Sequence, residues 1–488
     1  MTELALSRRL LDRLDEAGIA FCHWKSNEHL AAGLAGETDL DLLVDHEQRG
    51  NSEKILTDLG FKRFVAPSFA RHDGIEDHLG MDPETGRLIH LHWHYELSVG
   101  RRGSKDYRLP WERRILETRL VDEEHGCPVA TPEAEYLLLL VRAHLKDAWN
   151  GSAADAALGE EMAREVVWLR RKLDPERLER VAADLLGAGA ARLVIAILEE
   201  GPSRGRVAEL CRNARPLLET FARRGPAGRF FTRWRRSVAR QGARVRARLL
   251  QQPVPRRRTN PRGGVVLAVL GSDGSGKSTA VANLSRWLSW KIDVFPMYMG
   301  VPRALTSLLR KVVRAVPAVA PGDERSSASE PRTEAKPGLL RPMLRAAWAL
   351  AIALDKRLKL RRAARARHLG LVVICDRYPQ THTMNFNDGP LMSAWRDHPN
   401  FLVRRLARSE FAAYESRTIP DLVLKLNVSP EVCCARRPGE MTLEAARRKA
   451  GSIRELAFPA GTKVVEIDAD LPLAEVLLKA RRAVWDVV

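Results

Sequence analysis

Several features that would place a chain in a common class at once are missing from this sequence of 488 residues. The six cysteines form no CxxC pair and no disulfide-framework spacing, so we expect reduced thiols in the cytoplasm. The first residues carry charges throughout and lack the apolar core of a signal peptide. The longest apolar stretch of the second half, residues 346–354, has about half the length that a membrane span needs. These absences favour a folded cytoplasmic protein.

Acidic residues are missing from one segment, residues 223–262, which contains 14 Arg and no Asp or Glu. This segment carries most of the surplus behind the net charge of +19. Apolar residues recur within it at helical spacing: Phe230, Trp234, Val238, Val245 and Leu249. The pattern predicts an amphipathic helix with arginine on its other faces.

A basic amphipathic helix of this kind suits three kinds of partner. It can bind an anionic membrane surface, which would place the protein at the inner face of the membrane. It can also bind the phosphates of a nucleic acid, or pack its apolar stripe against the protein while its arginines face solvent. The sequence has no zinc motif, no helix-turn-helix signal and no base-stacking aromatic residues on a sheet, so a nucleic acid is disfavoured. A membrane surface, contacted through residues 221–250, and packing against the protein both stay open.

The chain divides by pattern into four parts. Residues 1–125 mix helix and strand signals in an α+β pattern, and residues 126–220 have the periodicity of a helical subdomain attached to them. Residues 221–262 are the basic amphipathic segment and a linker. Strand and helix signals alternate over residues 263–488, which predicts an α/β fold with a parallel sheet and helices on both faces. Within this last part, the polar insert 321–337 is expected to be mobile.

A glycine-rich stretch in the last part has the pattern G-x-x-x-x-G-K-[ST]. It follows the apolar run 265–270 and precedes a helical pattern, which is the strand–loop–helix context of a phosphate-binding loop. Glycines let backbone N–H groups converge on phosphate, and the helix N-terminus adds its positive dipole. Lys277 then reaches the phosphate oxygens, and the Ser278 hydroxyl is placed for Mg²⁺. The predicted nucleotide-binding residues are Gly271, Ser272, Asp273, Gly274, Ser275, Gly276, Lys277, Ser278 and Thr279.

Two further features favour a kinase over a motor or a switch. An apolar strand pattern ends in Asp376 and Arg377, at the sheet edge where ligands bind in open α/β folds. The carboxylate can hold Mg²⁺ or orient an acceptor, and the guanidinium can grip an acceptor anion. Arg436 and Arg437 lie at a Pro-Gly break between two helical stretches, as on a mobile lid, although a solvated pair of basic helices would have the same pattern. The predicted catalytic residues are Lys277, Asp376, Arg377, Arg436 and Arg437.

Four stretches carry a family resemblance: GSDGSGKST (271–279), DRY (376–378), ARRPGE (435–440) and KVVEIDADLPLAEV (463–476). On these, residues 263–488 resemble the thymidylate kinase family of P-loop kinases. The resemblance implies ATP as the phosphoryl donor, Mg²⁺, and Lys277 with both lid arginines on the phosphates. It also implies Asp376 and Arg377 at the acceptor, and the closing stretch near the adenine.

The acceptor half departs from that family. Thymidylate kinases carry an R-E-P-G-G-T segment after their second strand, which only Arg303 echoes here. Residues 379–390 replace the family's S-S-x-A-Y-Q, and residues 355–357 replace its A-D-R-A-Q. The expected function is an ATP- and Mg²⁺-dependent phosphotransferase acting on dTMP or a related small acceptor. The alternatives are a kinase acting on a glycan or lipid-linked sugar at the membrane surface, and a nucleotide-binding regulatory protein with little turnover.

Paired carboxylates occur in the first part of the chain. Asp39 and Asp41 are two residues apart in a strand pattern, so both side chains project from one face. Carboxylates at this spacing suit metal ions in phosphoryl or nucleotidyl transfer, so we name both as candidate metal ligands. With the Lys25-Ser26 turn ahead of them, residues 1–125 resemble a minimal nucleotidyltransferase.

Such enzymes usually take a third carboxylate from a later strand. The candidate strand here, residues 88–97, follows a turn at residues 82–86 and presents His90, His92 and His94 on one face. It contains no Asp, and the next acidic residue on that face is Glu96. Two interpretations therefore stay open: a site that binds metal and nucleotide, or a catalytically quiet binding domain.

Overall fold

The computed structural model describes residues 2–101, 104–145, 153–201, 203–300, 340–381, 389–414, 419–439 and 441–488. The insert 321–337, Arg303 and residues 382–388 of the acceptor region lie outside the described residues. The chain forms two units. The first comprises Met1–Gln251 and Arg256–Pro261, and the second comprises Gln252–Pro255 and Arg262–Val488.

Strands of the first unit form a mixed sheet and a separate two-stranded sheet. Its strands are β1 (Phe21–His23), β2 (Asp39–Val44), β3 (Lys62–Phe64), β4 (Ile75–Met81), β5 (Leu88–His94), β6 (Leu97–Val99), β7 (Tyr107–Leu109), β8 (Leu120–Val121) and β9 (Pro128–Val129). The mixed sheet has the order β3-β4-β5-β2-β1-β9-β8, and β6 pairs with β7. Strands β4 and β5 form an antiparallel hairpin around the expected turn, whereas β2 and β5 run parallel. Because β5 lies between β2 and β4, side chains from three strands meet on one face.

Helices of the first unit cover that sheet and continue into a helical region. They are α1 (Ala5–Glu16), α2 (Leu30–Leu34), α3 (Arg49–Asp58), α4 (Glu112–Thr118), α5 (Pro132–Leu145), α6 (Ala153–Arg170), α7 (Pro175–Leu186), α8 (Ala188–Glu200), α9 (Arg204–Asn213), α10 (Arg215–Thr220) and α11 (Pro226–Leu249). Helices α5 to α10 occupy the stretch with helical periodicity. Leu137, Leu138 and Leu140 of α5 are fully buried in their shared core, so α5 is central to it.

The second unit is built on a parallel sheet of five strands in the described residues. The strands are β10 (Val265–Gly271), β11 (Val294–Tyr298), β12 (Val372–Asp376), β13 (Leu422–Asn427) and β14 (Lys463–Asp468), in the order β11-β12-β10-β13-β14. The helices are α12 (Lys277–Leu288), α13 (Leu340–His368), α14 (Phe401–Tyr414), α15 (Pro430–Arg436), α16 (Leu443–Arg454) and α17 (Leu473–Val487). Consecutive residues of β10 and β12 are buried, as in a parallel sheet that is covered on both faces. This is an α/β fold, as expected.

Two features bear on the segment 221–262. Its first part forms α11, and Thr259, within the predicted linker, pairs with Val65 through a β-bridge. Within this part of the segment, Arg256–Pro261 belong to the first unit, and Gln252–Pro255 and Arg262 belong to the second. Over the part of the chain that the structure describes, no helix has both the length and the apolar content required to cross a membrane.

Candidate functional sites

A glycine-rich loop joins β10 to α12 at the carboxyl edge of the parallel sheet. A Cβ atom at Gly271 would lie 2.8 Å from the carbonyl oxygen of Leu426 on the neighbouring strand, so a larger residue does not fit there. Gly274 and Gly276 have φ angles of 84° and 86°, in the left-handed region that glycine adopts without strain. Loops of this shape turn successive backbone N–H groups toward a common anion.

Lys277 is the first residue of α12, and its side chain lies back along the loop. The ammonium is buried and donates a hydrogen bond to the carbonyl oxygen of Ser272 at 2.7 Å. Burial lowers the pKa of Lys277; Asp273 opposes this effect and Arg377 adds to it. An anion bound in the loop would favour the charged form of this lysine, so its environment is suited to phosphate.

Ser278 and Asp376 provide oxygen atoms beside the loop. The Ser278 hydroxyl donates to Asp376 Oδ2 at 3.1 Å, across from the end of β12. The other carboxylate oxygen, Oδ1, is buried and has no hydrogen-bond partner among the described residues. A hydroxyl and a carboxylate are the hard oxygen ligands that Mg²⁺ prefers. The residues present therefore fit a magnesium ion at this position.

Asp273, in the loop, is held by two cations. Lys449 of α16 lies 3.1 Å from its Oδ2, and Arg377 lies 3.7 Å from its Oδ1. Burial alone would raise the pKa of Asp273, but Lys449, Lys277 and Arg377 together lower it. Arg377 itself has a φ angle of 69°, an uncommon conformation for a residue with a side chain and one that occurs at functional sites.

One of the two lid candidates contacts the loop directly. Arg436, at the end of α15, donates to the carbonyl oxygens of Gly274 at 3.3 Å and Ala469 at 3.0 Å. Arg437 follows it. Between these elements is a cavity of about 850 Å³. It is lined by Asp273, Gly274, Ser275, Gly276, Lys277, Ser278, Thr279, Ala280, Tyr298, Asp376, Arg377, Arg436, Arg437, Ala469, Leu471, Leu473 and Val476.

The lining of the cavity includes both charged and apolar side chains. The loop and all five residues predicted to be catalytic line it, and Leu471, Leu473 and Val476 contribute apolar surface. Part of the closing stretch 463–476 therefore lines the cavity. A nucleotide likewise combines charged phosphates with the apolar faces of a base. The loop and the fold are those of a P-loop-type nucleotide-binding domain.

Two residues at this site were not predicted from the sequence. Cys433 donates its thiol hydrogen to the backbone oxygen of Asp273 at 2.7 Å, and Lys449 forms the ion pair with the Asp273 side chain. Lys449 belongs to the basic stretch that follows the lid, and that cluster of positive charge is the sequence signal that could have identified it. No sequence signal pointed to Cys433, because its hydrogen bond is to the backbone of the loop and such a contact requires no particular motif.

Residues 355–357 stand where the thymidylate kinase family has a different acceptor-side segment, and two of them lie outside the cavity lining. Lys356 is buried in α13 and donates to the Tyr414 hydroxyl at 3.1 Å, and Asp355 pairs with Lys359 at 2.7 Å. Neither Asp355 nor Lys356 is among the lining residues. Lys356 links α13 to α14, and Asp355 is paired within α13, so neither side chain is directed to an acceptor in this structure.

A second cluster of ionisable side chains lies on the mixed sheet of the first unit. The register pairs Asp39 with His90 and Asp41 with His92, so alternate residues of β2 and β5 share a face, as expected. His90 Nδ1 lies 2.7 Å from Asp39 Oδ1, and His92 Nδ1 lies 3.1 Å from Asp41 Oδ1. His94, which is fully buried, approaches the same Asp41 oxygen at 3.1 Å.

A third carboxylate completes this cluster, and it was missed because it lies on the other strand of the hairpin. Asp77 of β4 stands opposite His92 in the antiparallel register and 3.1 Å from His90 Nε2. Arg258 reaches the cluster from the predicted linker, with its Nε 2.7 Å from Asp77 Oδ1. Glu96, the acidic residue that the sequence favoured, instead pairs with Arg223. The sequence signal that could have identified Asp77 is the strand pattern of Ile75–Met81, the first strand of the predicted hairpin, in which alternate side chains share a face.

Two of these carboxylates, Asp41 and Asp77, are paired with cations of the fold. Lys25, next to the expected turn at Ser26, lies 2.8 Å from Asp41 Oδ1. Although burial opposes it, Lys25 and His92 hold the pKa of Asp41 well below its usual range. Burial also opposes the lowering of the Asp77 pKa, which His90 and Arg258 bring about.

Two histidines of the cluster, His92 and His94, are shifted toward the neutral form. Burial lowers the pKa of His94 to about 3 and also lowers the pKa of His92. Neutral imidazoles next to carboxylates are metal-ligand types. Two sets have ligand atoms close enough together to hold one ion: Asp39 with His90 and His92, and Asp41 with His92 and His94.

Comparison with known proteins gives relatives that match less than half of this chain. No family model matches the chain. The uncharacterized ATP-binding protein YghR of Escherichia coli (strain K12) is 29% identical over 229 residues, which are 45% of this chain and 86% of that protein. The uncharacterized ATP-binding protein YghS of the same strain is 26% identical over 223 residues, or 45% of this chain and 92% of that protein. The chain is thus similar, over a length comparable to that of the second unit, to proteins whose names describe ATP binding.

Proposed function

We propose that the chain is an ATP- and Mg²⁺-dependent phosphotransferase of the thymidylate kinase-like class. The observation that carries this proposal is the cavity of the second unit. One space is lined by the glycine-rich loop, by Lys277 and Ser278, by Asp376 and Arg377, and by the two lid arginines. ATP is the proposed nucleotide because the relatives named for ATP binding align over most of their own lengths.

Each group in the cavity has a chemical task in this proposal. ATP would supply the phosphoryl group, and Mg²⁺ would offset its charge. The loop amides and Lys277 bind the phosphates, and Ser278 and Asp376 hold the metal ion. Arg436 and Arg437 stabilise the negative charge that is spread over the transferring group. Arg377 grips the acceptor anion, in a conformation that is fixed by its strained backbone.

The acceptor is proposed to be dTMP or a related small molecule. Arg303 and residues 382–388, where acceptor contacts would be sought, lie outside the described residues. A glycan or a lipid-linked sugar is the alternative acceptor, because the sequence departs from thymidylate kinases in that region.

An acceptor panel tests the proposal on the full chain. Purified protein is incubated with Mg²⁺ and ATP labelled at its terminal phosphate, and with dTMP, other nucleoside monophosphates or sugars. The expected result is a labelled product from at least one acceptor, which is lost when Mg²⁺ is chelated. If ATP binds and no acceptor is labelled, the proposal of a phosphotransferase is refuted. The site is then explained by a nucleotide-binding regulatory protein. If ATP does not bind, the nucleotide site itself is refuted.

A further inference from the structure

Helix α11 presents an apolar face to solvent. Six of its large apolar side chains are between 51% and 76% exposed: Phe230, Phe231, Trp234, Val238, Val245 and Leu249. At about 100° per residue these positions fall within one arc of the helix, which we call the outward face. Single exposed apolar residues are ordinary on protein surfaces, but a cluster of six along one face, three of them aromatic, is a mark of an interaction site.

The opposite face of α11 attaches the helix to the first unit, and it does so mainly through arginine. Arg229 donates to the Tyr107 hydroxyl and pairs with Glu219 at 3.0 Å. Arg236 donates to the backbone oxygen of Arg71 at 2.8 Å. The only buried residue of α11 in the described structure is Ala243, which lies on this same face.

This arrangement is the reverse of a helix that packs its apolar stripe on the protein. An ordinary surface helix turns its apolar side to the core and its charges to water. In α11 the arginine side is used for attachment and the apolar side is left in solvent. The interpretation in which the apolar stripe packs against the protein therefore does not describe the structure.

Further arginines border the outward face. By helical geometry, Arg235 and Arg246 lie along one side of the stripe, and Arg244 and Arg248 lie along the other. All four are exposed, and the segment 223–262 has no acidic residue that could neutralise them. An apolar strip bordered by cations matches the interface of a bilayer, in which acyl chains lie beneath anionic headgroups.

We propose that the outward face of α11 binds the surface of an anionic lipid bilayer. Phe230, Phe231 and Trp234 enter the headgroup boundary, where tryptophan is favoured, and the bordering arginines contact lipid phosphates. A nucleic acid fits less well, because the centre of this face offers apolar side chains where a phosphate backbone requires cations. A second copy of the chain fits less well, because a symmetric contact would bring two arginine borders together. The proposal rests on α11 alone and does not depend on the phosphotransferase.

Vesicle binding by the full chain tests this proposal. Co-sedimentation is measured with vesicles of phosphatidylcholine alone and with vesicles that also contain phosphatidylglycerol. We expect binding to the anionic vesicles that weakens as salt is raised. Replacing Phe230, Phe231 and Trp234 together by serine should weaken it by at least roughly tenfold, because the apolar contact is lost. Replacing Arg235 and Arg246 by glutamine should weaken it by roughly fivefold for each arginine.

A matched control uses the exposed apolar residues Leu120 and Val121, which belong to the same unit but not to α11. Their replacement by serine should leave vesicle binding unchanged, and circular dichroism should show that all variants are folded. The proposal is overturned if the wild-type protein stays in the supernatant with anionic vesicles. It is also overturned if the control variant loses as much binding as the triple variant. Tighter binding to duplex DNA than to vesicles, or a dimer that only the triple variant disrupts, would assign the face to another partner.

Discussion

The two sites of this chain differ in how their charged groups are satisfied. In the first unit, Asp41 and Asp77 are paired with Lys25, Arg258 and histidines of β5, so both carboxylates have charged or hydrogen-bonding partners within the fold, and His94 Nδ1 is buried without a partner among the described residues. In the second unit the cations surround an open cavity, and one oxygen of Asp376 is buried without a partner. The carboxylates of the first unit are thus balanced by groups of the fold itself, whereas the charged groups of the second unit line a cavity with room for a ligand.

The largest expected effect separates the two sites by activity. Lys277→Ala should reduce phosphoryl transfer by about a hundredfold to a thousandfold, because a buried charge that faces the phosphates is removed. The steady-state rate with the best acceptor of the panel is the measurement. Lys25→Ala, in the first unit, should leave that rate within about threefold if its network has no part in the reaction.

Lys463→Ala is the matched control within the second unit. Lys463 pairs with Asp486 at 3.0 Å and is not among the residues that line the cavity. Its replacement should leave the rate unchanged. A wild-type rate in Lys277→Ala, or an equal loss in the control, would contradict the role given to the cavity.

The second prediction separates the sites by stability. Asp41→Asn leaves Lys25 without its ionised partner, and the free energy of unfolding should fall by about 3 kcal/mol because a mostly buried charge loses its counter-ion. Asp376→Asn neutralises a carboxylate that faces the cavity, and it should change stability by less than about 1 kcal/mol while transfer is impaired. Scanning calorimetry with the rate assay distinguishes these outcomes. Equal destabilisation by both substitutions would remove the contrast between the two sites.

Local sequence predicted the parts of both sites that lie close together along the chain. The nine-residue loop, and the acidic residue at the end of β12, follow from a motif and a strand pattern. The shared face of Asp39 and Asp41 follows from strand alternation. The α/β class of the second unit follows from alternating strand and helix signals.

Features that depend on long-range packing could not be predicted in this way. Asp77 joins the first cluster only because β5 lies between β2 and β4, an order that periodicity does not specify. Arg258 approaches Asp77 from far along the chain, and nothing near it in sequence indicates that contact. For α11, periodicity predicted an amphipathic helix but not which face attaches, because attachment depends on partners such as Tyr107.

The third prediction concerns the close packing of the glycine-rich loop in the second unit. Gly271→Ala would place a methyl group 2.8 Å from the Leu426 oxygen, so the free energy of unfolding should fall by about 2 kcal/mol. Gly451→Ala is the control, since a Cβ there meets nothing within 4 Å and the residue lies inside a helix. That substitution should raise stability by about 0.5–1 kcal/mol. Chemical denaturation measures both, and opposite signs are the expected result.

The last prediction is a pH dependence of stability that belongs to the cluster of the first unit. The pKa of His94 falls from its ordinary value of 6.5 to about 3 in the folded chain, so below pH 6.5 the unfolded chain binds a proton that the folded chain does not. The free energy of unfolding should therefore fall by about 1.4 kcal/mol per pH unit for this histidine as the pH is lowered toward 3. His94→Gln should flatten that slope, whereas His29→Gln, at an exposed position of the same unit, should not. A slope that is the same in both variants would mean that His94 is not held in its neutral form, and the network would then be open to titration like an ordinary surface cluster.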